Sequence, residues 1–161
     1  MIEVLSVASE VYPLIKTGGL ADVAGALPGA LAERGVTMRT LVPGYPAVMS
    51  KLGGGRVVRE IDDLFGVPAK LIAARVEGLD VIVIDAPVLY DRPGNPYVSP
   101  DGWDWPDNWK RFAALGWVAA QLAEGLVIGE DPTFDGQYFR RTAEGVTLVT
   151  QPMIDKFLAS R

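Results

Sequence analysis

Hydrophobic positions along the chain switch between near-continuous runs, alternation and helical spacing. Residues 2–8 carry Ile2, Val4, Leu5, Val7 and Ala8, which predicts a parallel strand covered on both faces and central in its sheet. Residues 9–19 predict a loop, because Pro13 and Gly18-Gly19 break any period. A helical stripe then starts at Leu20 and runs through Val23, Leu27 and Leu31, with a kink expected at Pro28. Gly35 stands where a left-handed C-terminal cap belongs, and residues 36–42 predict a second strand closed by Pro43-Gly44. Strand, loop, helix and strand make a βαβ unit.

Beyond Lys51 the rhythm changes. Residues 56–61, 69–76 and 80–84 predict three strands separated by Gly66-Val67-Pro68 and Glu77-Gly78 turns, short connections that favour hairpins over crossovers. Residues 91–104 are rich in Pro and Gly and predict a loop, followed by a helix starting near Pro106. On that helix Phe112, Leu115, Ala119, Leu122 and Leu126 form one apolar stripe, and Trp109, Ala113, Trp117 and Ala120 form another, so the helix is expected to be buried. Residues 129–141 are polar and irregular; residues 146–150 predict a short strand and 152–159 a last helix with Ile154, Phe157 and Leu158 inward.

Composition narrows the chemistry. The chain has 161 residues, 49% of them apolar and 22% charged, which suits one domain with a sizeable core. Fifteen Lys and Arg against twenty Asp and Glu leave a net charge of −5 and no basic cluster, which argues against a nucleic-acid partner. There is no cysteine, so disulfides and thiolate metal sites are excluded and a cytoplasmic chain is the simplest reading. There is no histidine, which removes a Ser-His-Asp triad and histidine zinc sites. The N-terminal segment lacks the basic flank of a signal peptide, and no run has the length of a membrane helix, so no membrane association is expected.

The densest site candidate is the first strand-to-helix connection, from Glu10 to Asp22, with Lys16-Thr17-Gly18-Gly19 just before the helix. Ligands of open α/β sheets sit beyond the carboxyl ends of strands. There, two glycines admit a phosphate close to backbone N–H groups, the helix N-terminus adds partial positive charge, and Lys16 adds a full one. A tight turn with a solvated lysine is the competing and, for the bare tetrapeptide, more frequent explanation. Neither the Walker nor the dinucleotide-binding glycine pattern occurs, and Gly53-Gly54-Gly55 opens a hairpin instead of a helix. A second cluster sets Asp101, Asp104, Asp107 and Asn108 among Trp103, Trp105 and Trp109, a sugar-binding mixture of acids and aromatic faces. Equally, Asp104 could cap the helix and the tryptophans could be core. A metal site from the three acids is weakly supported, since loop acids are usually solvated.

Together these segments resemble one family. Val7-Ala8-Ser9-Glu10, Tyr12-Pro13-Leu14-Ile15-Lys16-Thr17-Gly18-Gly19-Leu20-Ala21-Asp22-Val23 and Gly25-Ala26-Leu27-Pro28 are similar to the N-terminal block of bacterial glycogen synthases and plant starch synthases. Asp85-Ala86-Pro87, the stretch from Leu89 through Asp91-Arg92-Pro93-Gly94-Asn95-Pro96 to Tyr97, and Asp107-Asn108 with Arg111-Phe112-Ala113 follow in the family's order. The resemblance covers residues 1–128 and implies the Rossmann-like N-terminal domain of a two-domain GT-B glycosyltransferase, α/β with a mixed sheet and a hairpin insertion. It implies transfer of glucose from ADP-glucose to the non-reducing end of an α-1,4-glucan, glycogen or starch, with retention and with neither metal nor cofactor. By carry-over, Lys16 would face the diphosphate, Gly18 and Gly19 would shape the backbone around it, and Asp22 would help hold ADP-glucose. Tyr97, Asp107 and Asn108 would line the glucose side, the last two as the catalytic candidates.

Departures qualify that reading. Where the family continues with a His-Ala-His-Asp-Trp block, this chain has Asp131-Pro132-Thr133-Phe134-Asp135-Gly136. Residues 129–161 are therefore expected to be a divergent segment of the same domain, and the second GT-B domain is missing from the sequence. An isolated chain of this kind is expected to be inactive and to self-associate through its uncovered cleft wall. The alternative is a non-catalytic module that binds nucleotide-sugar or glucan.

Overall fold

The computed structural model describes residues 2–123. In chain order the elements are β1 (Ile2–Val7), α1 (Gly19–Ala32), β2 (Val36–Pro43), α2 (Pro46–Met49), β3 (Arg56–Ile61), β4 (Ala69–Val76), β5 (Leu79–Asp85), α3 (Pro87–Tyr90) and α4 (Asn108–Ala123). The five strands form one mixed sheet in the order β1-β2-β5-β4-β3. β1 pairs parallel with β2 from Ile2↔Val36 to Val7↔Leu41, and β2 pairs parallel with β5 from Thr40↔Val81 to Pro43↔Ile84. β5, β4 and β3 are joined antiparallel, which realises the hairpins expected from the short turns. At the β4–β5 turn Glu77 and Gly78 both take left-handed backbone, φ 52° and 81°, the twist that matches two flanking strands.

The core is densest on β2 and β5. Leu41, Val42, Val81, Ile82, Val83 and Ile84 are fully buried, which is the double-sided burial that a parallel strand under helices requires. α1 packs against β2, and α4 against β1 and β2. Across β2 and β5, Arg39 reaches Asp80 through two hydrogen bonds of 3.0 and 2.9 Å.

Four sequence expectations are corrected. β1 is an edge strand of the sheet formed by the described residues, not a central one. Nor is it covered on both faces: within β1 only Leu5 is buried, while Ile2 and Val7 are exposed, so an apolar run alone fixes neither the cover of a strand nor how many strands flank it. On α1 the buried face is Ala21 and Ala24, whereas Leu20 and Val23 are half-exposed at 51% and 52%. The helix lies so close to the preceding loop that small side chains, not the leucine stripe, occupy the contact. α4 begins at Asn108, two residues after Pro106, and buries Ala114, Leu115, Val118, Ala119 and Leu122, while Trp109 and Trp117 of its second stripe face outward. Asp104 does not cap α4; it bridges to Val98, and the Asp107 carbonyl accepts the first helical N–H groups, those of Lys110 and Arg111. Pro28 lies within a helix that continues past it to Ala32, and Gly35 has the expected positive φ of 73°. The strand at 146–150, the helix at 152–159 and the 129–161 segment lie outside the described residues.

Candidate functional site

Because β1, β2 and β5 run parallel, the chain leaves all three at the same end of the sheet. The connections that follow them there, residues 8–18, 44–55 and 86–107, therefore share one rim, as expected for a ligand site in an open α/β sheet. The first connection is tied to its surroundings at several points. Tyr12 N–H donates to the Ala21 carbonyl at 3.0 Å, Ile15 N–H to the Val11 carbonyl at 3.0 Å, and the Lys51 ammonium reaches the carbonyls of Pro13 and Leu14.

Lys16, Thr17, Gly18 and Gly19 are all exposed on this rim. The Lys16 ammonium contacts both carboxylate oxygens of Asp22 at 2.7 Å and lies 5.8 Å from the centre of the Tyr12 ring. Gly18 is extended, φ −152° and ψ −163°, and a Cβ built at Gly18 or Gly19 would meet nothing within 4 Å. The glycine pair thus leaves an open approach to the first turn of α1.

Beneath this loop sits Glu10, only 3% exposed. Its carboxylate accepts the Thr17 N–H, and the Thr17 hydroxyl at 3.0 and 2.9 Å. The Tyr97 hydroxyl donates to it at 3.1 Å and is also 2.8 Å from Ser9 Oγ. Burial above all, with the Glu10 carboxylate adding to it and Ser9 opposing, holds the Tyr97 phenol above its usual range. The Tyr97 ring stacks on Phe112 with centroids 5.9 Å apart.

Asn108 and Asp107 act on the far side of Tyr97. Asn108 Nδ2 donates to the Tyr97 carbonyl at 2.8 Å, while its Oδ1 accepts from the buried Arg111 at 2.6 Å. Arg111 also donates to the carbonyls of Leu89 and Pro96, at 2.8 and 2.9 Å. Asp107 is held by Arg92 through two bonds of 2.6 Å, and those hydrogen bonds keep its carboxyl below the usual carboxylate range and Arg92 above the usual guanidinium one. The Arg92 guanidinium lies 4.9 Å from the Trp105 ring centre. A recess of about 250 Å³ opens beside this network, lined by Ile15, Tyr45, Arg92, Pro93, Pro96 and Arg111.

The structure therefore brings Lys16, Gly18, Gly19 and Asp22 together, and connects them through Glu10 and Thr17 to Tyr97 and Asn108. Asp107 stands one ion pair away, with Arg92. Trp103 is strongly exposed, and among the described residues no group of acids is arranged to hold a metal ion. Sequence reasoning did not single out Glu10 within its loop, nor Arg92 or Arg111 within their blocks. Arg111 had a signal: it shares a helix face with Ala114, Leu115 and Val118, and an arginine on a buried face must be bonded. No helix among the described residues is long and apolar enough to cross a membrane.

Comparison with known proteins identifies relatives of the chain. A glycogen synthase of Rhodopseudomonas palustris (strain BisB18) is 64% identical over 126 residues, which is 78% of this chain and 26% of that protein. Glycogen synthase 2 of Bradyrhizobium diazoefficiens is 62% identical over 124 residues, 77% of this chain and 26% of that protein. Among solved structures, the catalytic domain of starch synthase IV from Arabidopsis thaliana, bound to ADP and acarbose, aligns with a TM-score of 0.55 at 26% identity. That alignment covers 77% of this chain and 26% of the Arabidopsis one. The chain thus spans about a quarter of the length of the curated relatives it matches. Residues 3–135 match the family described as starch synthase catalytic domain, a match that runs past residue 128 into the segment whose sequence departs from the expected block. Since it takes in well over half of the 161 residues, the chain belongs to the starch synthase catalytic domain family.

Proposed function

We propose that the chain is the N-terminal part of a retaining glucosyltransferase that moves glucose from ADP-glucose to the non-reducing end of an α-1,4-glucan. The observation that carries this reading is the open Lys16–Gly19 rim, free of Cβ obstruction and placed at the start of α1. Diphosphate leaves with developing negative charge, and fixed donors and cations aimed at that charge supply a large catalytic term. Lys16 provides the cation and the α1 N-terminus the oriented N–H groups. In the free chain Asp22 occupies Lys16, but both side chains are about half exposed. Such a pair contributes little and gives way to a better anion. Tyr97 would meet the glucose, with Asn108 holding it from behind through the Tyr97 carbonyl, and Asp107, paired with Arg92, would line the same side. A cysteine-free chain fits a cytoplasmic setting.

The engagement of Asp107 and Asn108 in internal bonds favours a second reading, a binding module that holds nucleotide-sugar or glucan without catalysing transfer. It would self-associate through its exposed apolar faces, which light scattering would register as a mass above the monomer. Calorimetric titration of the chain with ADP tests what both readings share: saturable binding is expected, and no heat at millimolar ADP would remove the cradle from either.

A further inference from the structure

We propose that Glu10 is a positioning residue, whose buried carboxylate locks the Lys16–Gly19 loop and Tyr97 into one unit so that the anion cradle and the sugar-facing phenol are set by the same group. The inference rests on the cradle reading above and names the group that holds it in shape. Two loops far apart in sequence converge on this side chain. Thr17 N–H and Thr17 Oγ1 come from the first and Tyr97 Oη from the second, and all three donate to Glu10. Thr17 is exposed and directly precedes the glycine pair, so without an anchor its N–H would be satisfied by water and the loop would be free to move. Glu10 is 3% exposed, and a carboxylate taken out of water is tolerated only with its lone pairs filled, as these donors do. An arrangement of three donors around one carboxylate is also specific: an amide at the same place can accept on one side only and presents N–H to the other.

The experiment uses the 161-residue chain and the variants Glu10→Gln and Glu10→Ala. Three quantities are read: hydrogen exchange at the Thr17 amide, ionisation of Tyr97 taken as the difference from Tyr97→Phe, and affinity for ADP. Glu10→Ala is expected to speed Thr17 exchange roughly ten- to hundredfold, as for loss of hydrogen bonds to a charged group. Glu10→Gln is expected to lower the pH at which Tyr97 ionises and to weaken ADP binding, with a smaller effect on Thr17. A role confined to holding the fold would lower the melting temperature and leave the Tyr97 titration in place, which would overturn the proposal. If Glu10→Ala does not fold, the nearly isosteric Glu10→Gln decides. A wild-type chain that binds no ADP defeats the cradle reading alone, since exchange and titration still report the coupling. Unchanged Thr17 exchange and Tyr97 ionisation in both variants defeat the coupling whether or not ADP binds.

Discussion

Lys16 is held by contacts that cost little to exchange, an exposed ion pair with Asp22 and the face of Tyr12. Lys16→Ala is therefore expected to change stability by no more than about 0.5 kcal/mol, as at most surface positions. Its effect on ADP binding should be larger, a roughly ten- to hundredfold loss of affinity, the range for a hydrogen bond to a charged group. Gly18→Ala should also spare the fold, since the backbone there is extended and the added methyl meets nothing within 4 Å, yet it narrows the approach and should weaken ADP binding. Calorimetry with melting curves on both variants checks this; a Lys16→Ala chain that binds ADP like wild type would show that Lys16 is not the phosphate contact. Asp107 gives a pH-dependent expectation. Its carboxyl is held below the usual range by Arg92, so its contribution is complete above the unfolded value of about 3.9 and is lost as pH falls through the folded one. Wild-type stability should thus fall more steeply than that of Asp107→Asn below about pH 4. Parallel acid limbs in denaturant titrations would mean the Arg92 pair is energetically silent.

At the scale of elements, α1 and the loop before it are fitted by a close approach. A Cβ at Gly25 would collide with the Tyr12 carbonyl oxygen, while the Tyr12 N–H is tied to Ala21 one turn earlier. Alanine is the better helix former by about 1 kcal/mol, but forcing a methyl into a filled contact costs typically about 1–3 kcal/mol. The neighbour here is backbone, so the steric cost should win: Gly25→Ala is expected to lower stability in urea unfolding, and a rise would show that the loop yields freely. The same closeness explains what the sequence concealed. The β3–β4–β5 strands were legible because alternation and the Glu77-Gly78 turn are local signals. The buried face of α1 was not, because a helix pressed on backbone selects Ala21 and Ala24 over the larger Leu20 and Val23. The position of β1 at the edge was hidden for a related reason, since strand order is set by long-range pairing. In the site, the exposed Lys16-Gly18-Gly19 pattern could be read directly, whereas Glu10 acquires its partners only when Tyr97 arrives from a distant loop.

For the whole molecule, the chain spans about a quarter of the length of its glycogen synthase relatives. Retaining transfer needs donor and acceptor clamped in one geometry, and such clamping is worth several orders of magnitude in rate. A chain of these 161 residues is expected to incorporate no glucose from ADP-glucose into glycogen above a blank; radiolabel incorporation that disappears on changing Asp107 would show that it is catalytically sufficient. The contact between Ser9 and Tyr97 has a further consequence, for the order of events in folding. It joins residues separated by 88 positions, and Glu10 and Tyr97 are separated by 87. Closing so long a loop carries an entropy cost that only already ordered intervening structure can reduce. The βαβ unit and the hairpins are therefore expected to form before the phenol reaches its carboxylate. Any competence to bind nucleotide should then be a late milestone of folding, and nucleotide affinity appearing early in refolding would show that the rim closes without them.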